Sequence, residues 1–498
     1  MYKFYDKPSW LTRRLLPGAE LLAPALLIVG GVVGAVLAYL IISGLWYIAV
    51  VVVLALPVFI FIHRYPFVSV IIWLLLAPFL LHSQTATERY VYWAIHRVLP
   101  LLTLVIIILS DGLHLRQRHL ARLGPAEAAM MGYVLLSTLS IALQNGNPVA
   151  TFYLFYDRII VSMFLYLIVR LIEPSEREMK WLLATAVFVV FSQAGVGVLS
   201  QFAPGLLPST WMENAGERTV GTLINPAIYT IALMFGGMIL AHAAQHTLSR
   251  RQRWLFVLCF LLSVYSTFIS FSRASWLGGI VVWGILFLLY PRFIAKLVIL
   301  IAPVMLLLVG VFLTDQIEWA KERLYSAEAE NSANSRLPIM VGAYNMFQEK
   351  PVTGWGYNNF DLYDRSFYGQ LLGSNGDNRD HASHNYFLTI LAEQGALGLF
   401  LYLAPMLYWL VVSARRYREL PVAGLRSRKL LAMLWLVILF HIIVSNFINM
   451  IVVYGLGIWW ITLGLIGYLV EDGRLREAAK LRPAGMRPGE IRIYANEG

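Results

Sequence analysis

PAIYTIALMFGGMILAHAAQH fills positions 226–246 without a single Asp, Glu, Lys or Arg. A helix needs about 20 mainly apolar residues to cross the hydrocarbon core of a bilayer, and in lipid its backbone must satisfy its own hydrogen bonds. Asn225 and Pro226 supply a helix start in front of the run. Comparable runs recur at 21–43, 45–62, 66–82, 98–111, 126–144, 152–172, 181–200, 254–271, 275–290, 294–313, 396–413, 430–446 and 449–470. The pattern predicts an all-α, polytopic membrane bundle of about fourteen helices, with twelve as the lower bound.

Composition agrees. The 498 residues are 59% hydrophobic and 13% charged, against about 45–50% and about 25% in soluble proteins. This excludes a soluble enzyme with a tail anchor, a disordered chain and a disulfide scaffold. The single cysteine, Cys259, can make no intrachain disulfide. The net charge of +11 does not require nucleic acid. With the N-terminus inside, 28 of the 39 Lys and Arg fall on the cytoplasmic side, with 13 of the 28 Asp and Glu. That face then carries +15 and the opposite face −4, as the positive-inside rule requires, with both termini cytoplasmic. The basic N-terminal arm precedes a run longer than a signal h-region, so no cleavable signal peptide is expected. There is no strong internal repeat. The tail, 471–498, is polar and basic.

Four regions follow: a bundle over 1–313, an outside loop over 314–384, further membrane helices over 385–470 and the tail. The loop is the only soluble-phase piece large enough for a lid or half-site. Its DQIEWAKERLYSAEAE is helical and acidic. NSANSRLPIMVGAYNMFQEKP is an amphipathic helix, capped by Asn334 or Ser335 and stopped by Pro351. Ile339, Tyr344 and Phe347 are expected to face the bundle. In GWGYNNF, Gly354 and Gly356 permit tight turns.

Charged groups at membrane depth are costly and mark function or pairing. Arg273 breaks two apolar runs in SFSRASW, where Ser270, Ser272 and Ser275 can satisfy the freed backbone. Arg218 precedes Gly221 and the Asn225-Pro226 start, and Arg336 opens the loop helix. Guanidinium groups bind diphosphate through paired, charge-assisted hydrogen bonds. His384 enters a helix beside the loop, where a neutral imidazole can take a proton from a hydroxyl, with His381 as a weaker candidate. His381 and His384 lack a third ligand at metal spacing. Glu393 fits a capping or pairing role. Asp157 and Arg158 are expected to form an internal ion pair that fixes packing, and His441 to be a packing residue. No P-loop, Gly-x-Ser-x-Gly, HExxH or paired CxxC occurs, and Asp361 and Asp364 are too widely spaced for an Asp-x-Asp metal motif. The expectation is a reaction without metal or cofactor.

Four stretches taken together resemble the O-antigen ligase and polymerase family of bacterial inner membranes: RTVGTLINPAIY around Arg218, ISFSRASWLG around Arg273, SRLPIMVGAYNMFQEKPVTGWGYNNF after Arg336 and SHNYFLTILAEQGALGLFLY from His384. The resemblance is firm over about 215–415 and topological elsewhere. It implies a glycosyltransferase of the inner membrane whose site faces the periplasm. The donor would be an undecaprenyl-diphosphate-linked glycan and the acceptor a hydroxyl, such as one on lipid A-core. The matching roles would be His384 as general base, Arg273 and Arg218 on the leaving diphosphate, and Arg336 assisting, with inversion at the anomeric carbon. A polymerase joining lipid-linked repeats of O-antigen or exopolysaccharide shares this donor chemistry, as does a protein O-glycosylating ligase. A transporter or flippase of the same lipid is the alternative outside enzymes, although it would carry charges along a central path. Membrane lipids, and glycan-assembly proteins such as a chain-length regulator, are the partners the resemblance admits. Family members often have about twelve spans, which makes the first two here an added hairpin.

Overall fold

The computed structural model describes scattered positions between 31 and 44, then 57–81, 85–115, 120–143, 147–212, 218–299, 314–325, 336–368 and 383–471. Contacts divide the chain into two units, Met1–Tyr65 and Pro66–Gly498. In the first, a helix runs over Pro57–Arg64, with the Phe59 and His63 rings stacked at 6.4 Å. Most of the two expected spans 21–43 and 45–62, much of 294–313, the tail and the caps Asn334 and Ser335 lie outside the described residues.

Among its described residues, the regular structure of the second unit is all helical. Its elements are α1 (Phe67–Leu80), α2 (Ala86–Gly112), α3 (Pro125–Leu143), α4 (Pro148–Ile172), α5 (Glu176–Phe202), α6 (Pro226–His246), α7 (Arg250–Ile269), α8 (Arg273–Leu289), α9 (Thr314–Tyr325), α10 (Arg336–Glu349), α11 (Phe360–Tyr368), α12 (Tyr386–Arg416), α13 (Arg428–Ser445) and α14 (Val453–Glu471). Among the described residues nine helices are long and apolar enough to cross a membrane, or up to 11 if two bent pairs each count as a span. The fold is the all-α polytopic bundle expected. The short run at 98–111 proves to be the end of a 27-residue helix, α2, because the preceding loop is itself helical.

α6 and α14 are buried along their whole apolar windows. α6 packs on α5, α7 and α13, and α14 packs on α4, α12 and α13. Small residues allow the close approach that membrane helices need, since lipid offers no hydrophobic drive between them. A Cβ on Gly236 would meet Val190, and one on Gly457 would meet Trp73. At one end of the bundle a buried charge cluster ties α3, α4 and α14. Arg170, 1% exposed, pairs with Glu471 and lies 3.7 Å from Glu127, while the Tyr166 hydroxyl donates to Glu127 at 2.6 Å.

At the other end α12 is interrupted. Gly395 has φ 65° and ψ −171°, and the segment 351–356 lies against the break. Trp355 N–H donates to the Ala392 carbonyl and Gly356 N–H to that of Glu393. In return Ala396 and Leu397 N–H donate to the Pro351 and Val352 carbonyls. Backbone groups freed by the break thus find partners in the loop, as burial demands. The approach is close enough that a Cβ on Gly354 would sit 2.3 Å from the Glu393 carbonyl carbon. α10 buries Ile339, Ala343 and Met346 against α11 and α12. This corrects the expected face. Tyr344 is 49% exposed, because five residues on from Ile339 the helix has turned well away from the i, i+4, i+7 stripe.

Gly354→Ala is expected to destabilise the protein by more than about 1 kcal/mol, read as a lower melting temperature in detergent. Gly205, whose Cβ would meet nothing within 4 Å, is the control. Equal melting of the two alanine variants would refute the clamp.

Candidate functional site

The residues singled out in the sequence converge on one cavity of about 870 Å³ in the second unit. Arg218, Arg273, Arg336, His384 and Glu393 all line it. His381 lies outside the described residues. Asp361 is in the lining, whereas Asp364 is fully buried and is not. His441 is buried beside Trp459, ring centroids 5.1 Å apart, and does not line the cavity.

Each residue is placed by a defined local device. Arg273 is the first residue of α8. Ser272 caps that helix by accepting from Ser275 N–H, and the Ser275 hydroxyl lies 2.7 Å from Thr230 on α6. Ser270 accepts from Ser272 N–H at 3.4 Å and donates to the Thr267 carbonyl, so the serines do satisfy the broken backbone. Two glutamines of α5 hold the loop that carries Arg218. Gln193 bonds both the side chain and the N–H of Thr222, at 2.8 and 3.0 Å, and Gln201 donates to Thr219. Asn225 then caps α6 by accepting from Ala227 N–H at 2.9 Å. Arg336 starts α10. His384 precedes Asn385, which caps α12 through Leu388 N–H.

Two consequences follow for the cavity. The first turns or caps of α6, α8, α10, α11 and α12 all contribute to its wall. Helix N-termini carry unpaired N–H groups and a partial positive charge, so they add to the arginines in favouring an anion. The wall also concentrates backbone strain. Among the described residues, six other than glycine have positive φ, and Ile224 (63°), Phe271 (49°), Asn358 (58°) and His384 (51°) all line this cavity. Such conformations cost about 1–3 kcal/mol each and persist where the surroundings dictate them.

Arg158 is the correction. It does not pair with Asp157. Asp157 is held by Arg97, Nε at 2.6 Å and Nη2 at 2.5 Å, and its carbonyl meets His96 Nε2 at 3.1 Å. Adjacent residues of a helix do not face each other, and Asp157 and Arg158 both lie in a π-helical turn at Tyr156–Ile160. Arg158 lines the cavity instead and donates to Asn358 Oδ1 at 3.4 Å. It also interacts electrostatically with Tyr357, whose hydroxyl burial pushes above its ordinary pKa while the guanidinium opposes the shift. Glu393, 8% exposed, accepts from Phe360 N–H at 3.1 Å and holds the start of α11.

Residues 258–403 match the family model for O-Antigen ligase. This stretch belongs to the O-antigen ligase family. The match covers Arg273, Arg336, His384 and Glu393, whereas Arg158 and Arg218 reach the cavity from outside it. No curated protein sequence matches the chain. The O-antigen ligase stretch therefore supplies α8, α10, α11 and the first part of α12, and α4 and the Arg218 loop complete the wall.

Glu393 acts here as a hydrogen-bond acceptor. Glu393→Gln, which keeps an acceptor oxygen, should melt close to the parent, and Glu393→Ala should lose about 1–3 kcal/mol by orphaning Phe360 N–H. Equal losses in both variants would show that the charge, not the bond, matters.

Proposed function

We propose that the protein transfers a glycan from undecaprenyl diphosphate to an acceptor hydroxyl, such as one on lipid A-core, at the periplasmic face of the inner membrane. The observation that carries this is the convergence of Arg218, Arg273, Arg336 and His384 on one cavity ringed by helix N-termini. The O-antigen ligase match supports glycosyltransferase activity of the ligase and polymerase type.

In this mechanism the donor diphosphate lies among Arg218, Arg273 and Arg336. Leu277, Phe447 and Ile451 line the same cavity and are 45–49% exposed, so the polyprenyl chain can leave on their side towards lipid. His384 takes the proton of the acceptor hydroxyl as its oxygen bonds the anomeric carbon. The bond from that carbon to the diphosphate breaks on the opposite face, the electron pair leaves with the diphosphate, and the configuration inverts. The arginines and helix dipoles stabilise charge that grows only in the transition state, which is where binding accelerates chemistry. The charge asymmetry of the sequence supports cytoplasmic termini in this reading.

Purified protein with lipid-linked donor and acceptor in detergent should transfer glycan, and EDTA should leave the rate unchanged. His384→Ala should lower turnover about 10²–10⁴-fold with insertion intact. Arg273→Lys should lose tenfold or more, roughly, because an ammonium cannot reproduce the guanidinium fork. Near-normal turnover of His384→Ala would remove the general-base assignment. Transport in vesicles with no transfer in detergent would replace the enzyme by a transporter. Deleting the gene separates the two enzyme types: unattached long lipid-linked chains mean a ligase, accumulated single repeats a polymerase.

A further inference from the structure

Resting on the donor binding proposed above, the cavity wall divides by chemistry. Arg273 and Arg336 each open a helix, where the helix dipole adds to the positive charge, and Arg218 lies in the loop that leads to the capped start of α6 at Pro226. Arg158 lies inside α4, away from either end. The same lining holds Tyr133, Tyr357, Tyr386, Asn358 and two carboxylic acids, Asp361 and Glu393, and Asn358, Tyr357, Tyr386 and Glu393 are the ones that interact with Arg158. Tyr357 and Tyr386 interact electrostatically with both Arg158 and Glu393, so these groups share one neighbourhood.

Acidic side chains oppose a diphosphate but accept hydrogen bonds from sugar hydroxyls. Tyrosine rings give apolar faces to the C–H side of a sugar, and a guanidinium and an amide give paired donors and acceptors to its hydroxyls. Arg158 is positioned for such use. The neighbouring carboxylate of Asp157 is occupied by Arg97, the side-chain hydrogen bond of Arg158 goes to a neutral group, Asn358, and the guanidinium interacts electrostatically with Tyr357. Among the described residues no carboxylate forms an ion pair with it. Asn358 is itself fixed in the left-handed region, φ 58°, beside the Phe360 N–H that Glu393 holds.

We propose that Arg158, Asn358 and Tyr357 form a saccharide subsite of this cavity, which takes the sugar attached to the diphosphate. Arg158 then acts on the glycan, not on the lipid diphosphate. Glu393 is a positioning residue for it, through the 358–360 backbone.

The test compares binding of undecaprenyl diphosphate and undecaprenyl-diphosphate N-acetylglucosamine to the purified full-length protein. The wild type should bind the sugar-bearing lipid more tightly. Arg158→Ala should weaken that binding about tenfold or more and leave undecaprenyl diphosphate within about twofold, whereas Arg273→Ala should weaken both. Asn358→Gly keeps the positive φ and should reproduce the selective loss if Arg158→Ala fails to fold. Equal weakening of both lipids by Arg158→Ala would make Arg158 a diphosphate ligand and overturn the subsite. So would equal wild-type affinity for the two lipids, or unchanged binding in both variants. Wild-type protein that binds neither lipid would refute the proposed function itself, and the subsite with it.

Discussion

Main-chain hydrogen bonds between residues 351–356 and the break in α12 at Gly395 are the constraint on which the site depends. A helix interrupted at this depth leaves carbonyl and N–H groups that lipid cannot satisfy. The loop supplies them, with Trp355 and Gly356 donating to one side of the break and Pro351 and Val352 accepting from the other. Because both strands meet through backbone, side chains are excluded and glycine is required at Gly354 and Gly395. The same contact fixes Glu393, which fixes Phe360 and the start of α11. It also places Asn358 beside Arg158.

The cavity is thus built from interruptions rather than from regular helix. α7 stops and α8 restarts at Ser272, the chain turns sharply at Ile224 before α6, and His384 leads into α12 through a left-handed residue. Each restart puts a helix N-terminus and its cap on the cavity wall. Stability is supplied elsewhere, by the wholly buried α6 and α14 and by the Arg170 cluster at the far end. The bundle can therefore tolerate concentrated strain at one end.

Much of this was legible in the sequence. Apolar runs gave the helical bundle, and Arg218, Arg273, Arg336 and His384 were each marked by a break, a cap or a loop start that regular packing did not explain. The serines beside Arg273 do the work their hydroxyls suggested. Two readings failed, the first because it treated sequence neighbours as spatial ones. Asp157 and Arg158 adjoin in sequence but point apart on the helix, and the competing partner, Arg97, lies 60 residues earlier. The face of α10 followed large aromatics, whereas the contact with α12 favours the small Ala343 and the adaptable Met346. The pairing of 351–356 with the α12 break was not legible, since backbone-to-backbone contacts leave only glycines as their trace.

A structure of the protein with undecaprenyl diphosphate bound tests the central claim most directly. The account predicts both phosphates inside the cavity, in contact with Arg218, Arg273 and Arg336 and within reach of a hydroxyl held by His384. A headgroup seated outside the cavity, with those arginines turned to protein partners, would contradict it.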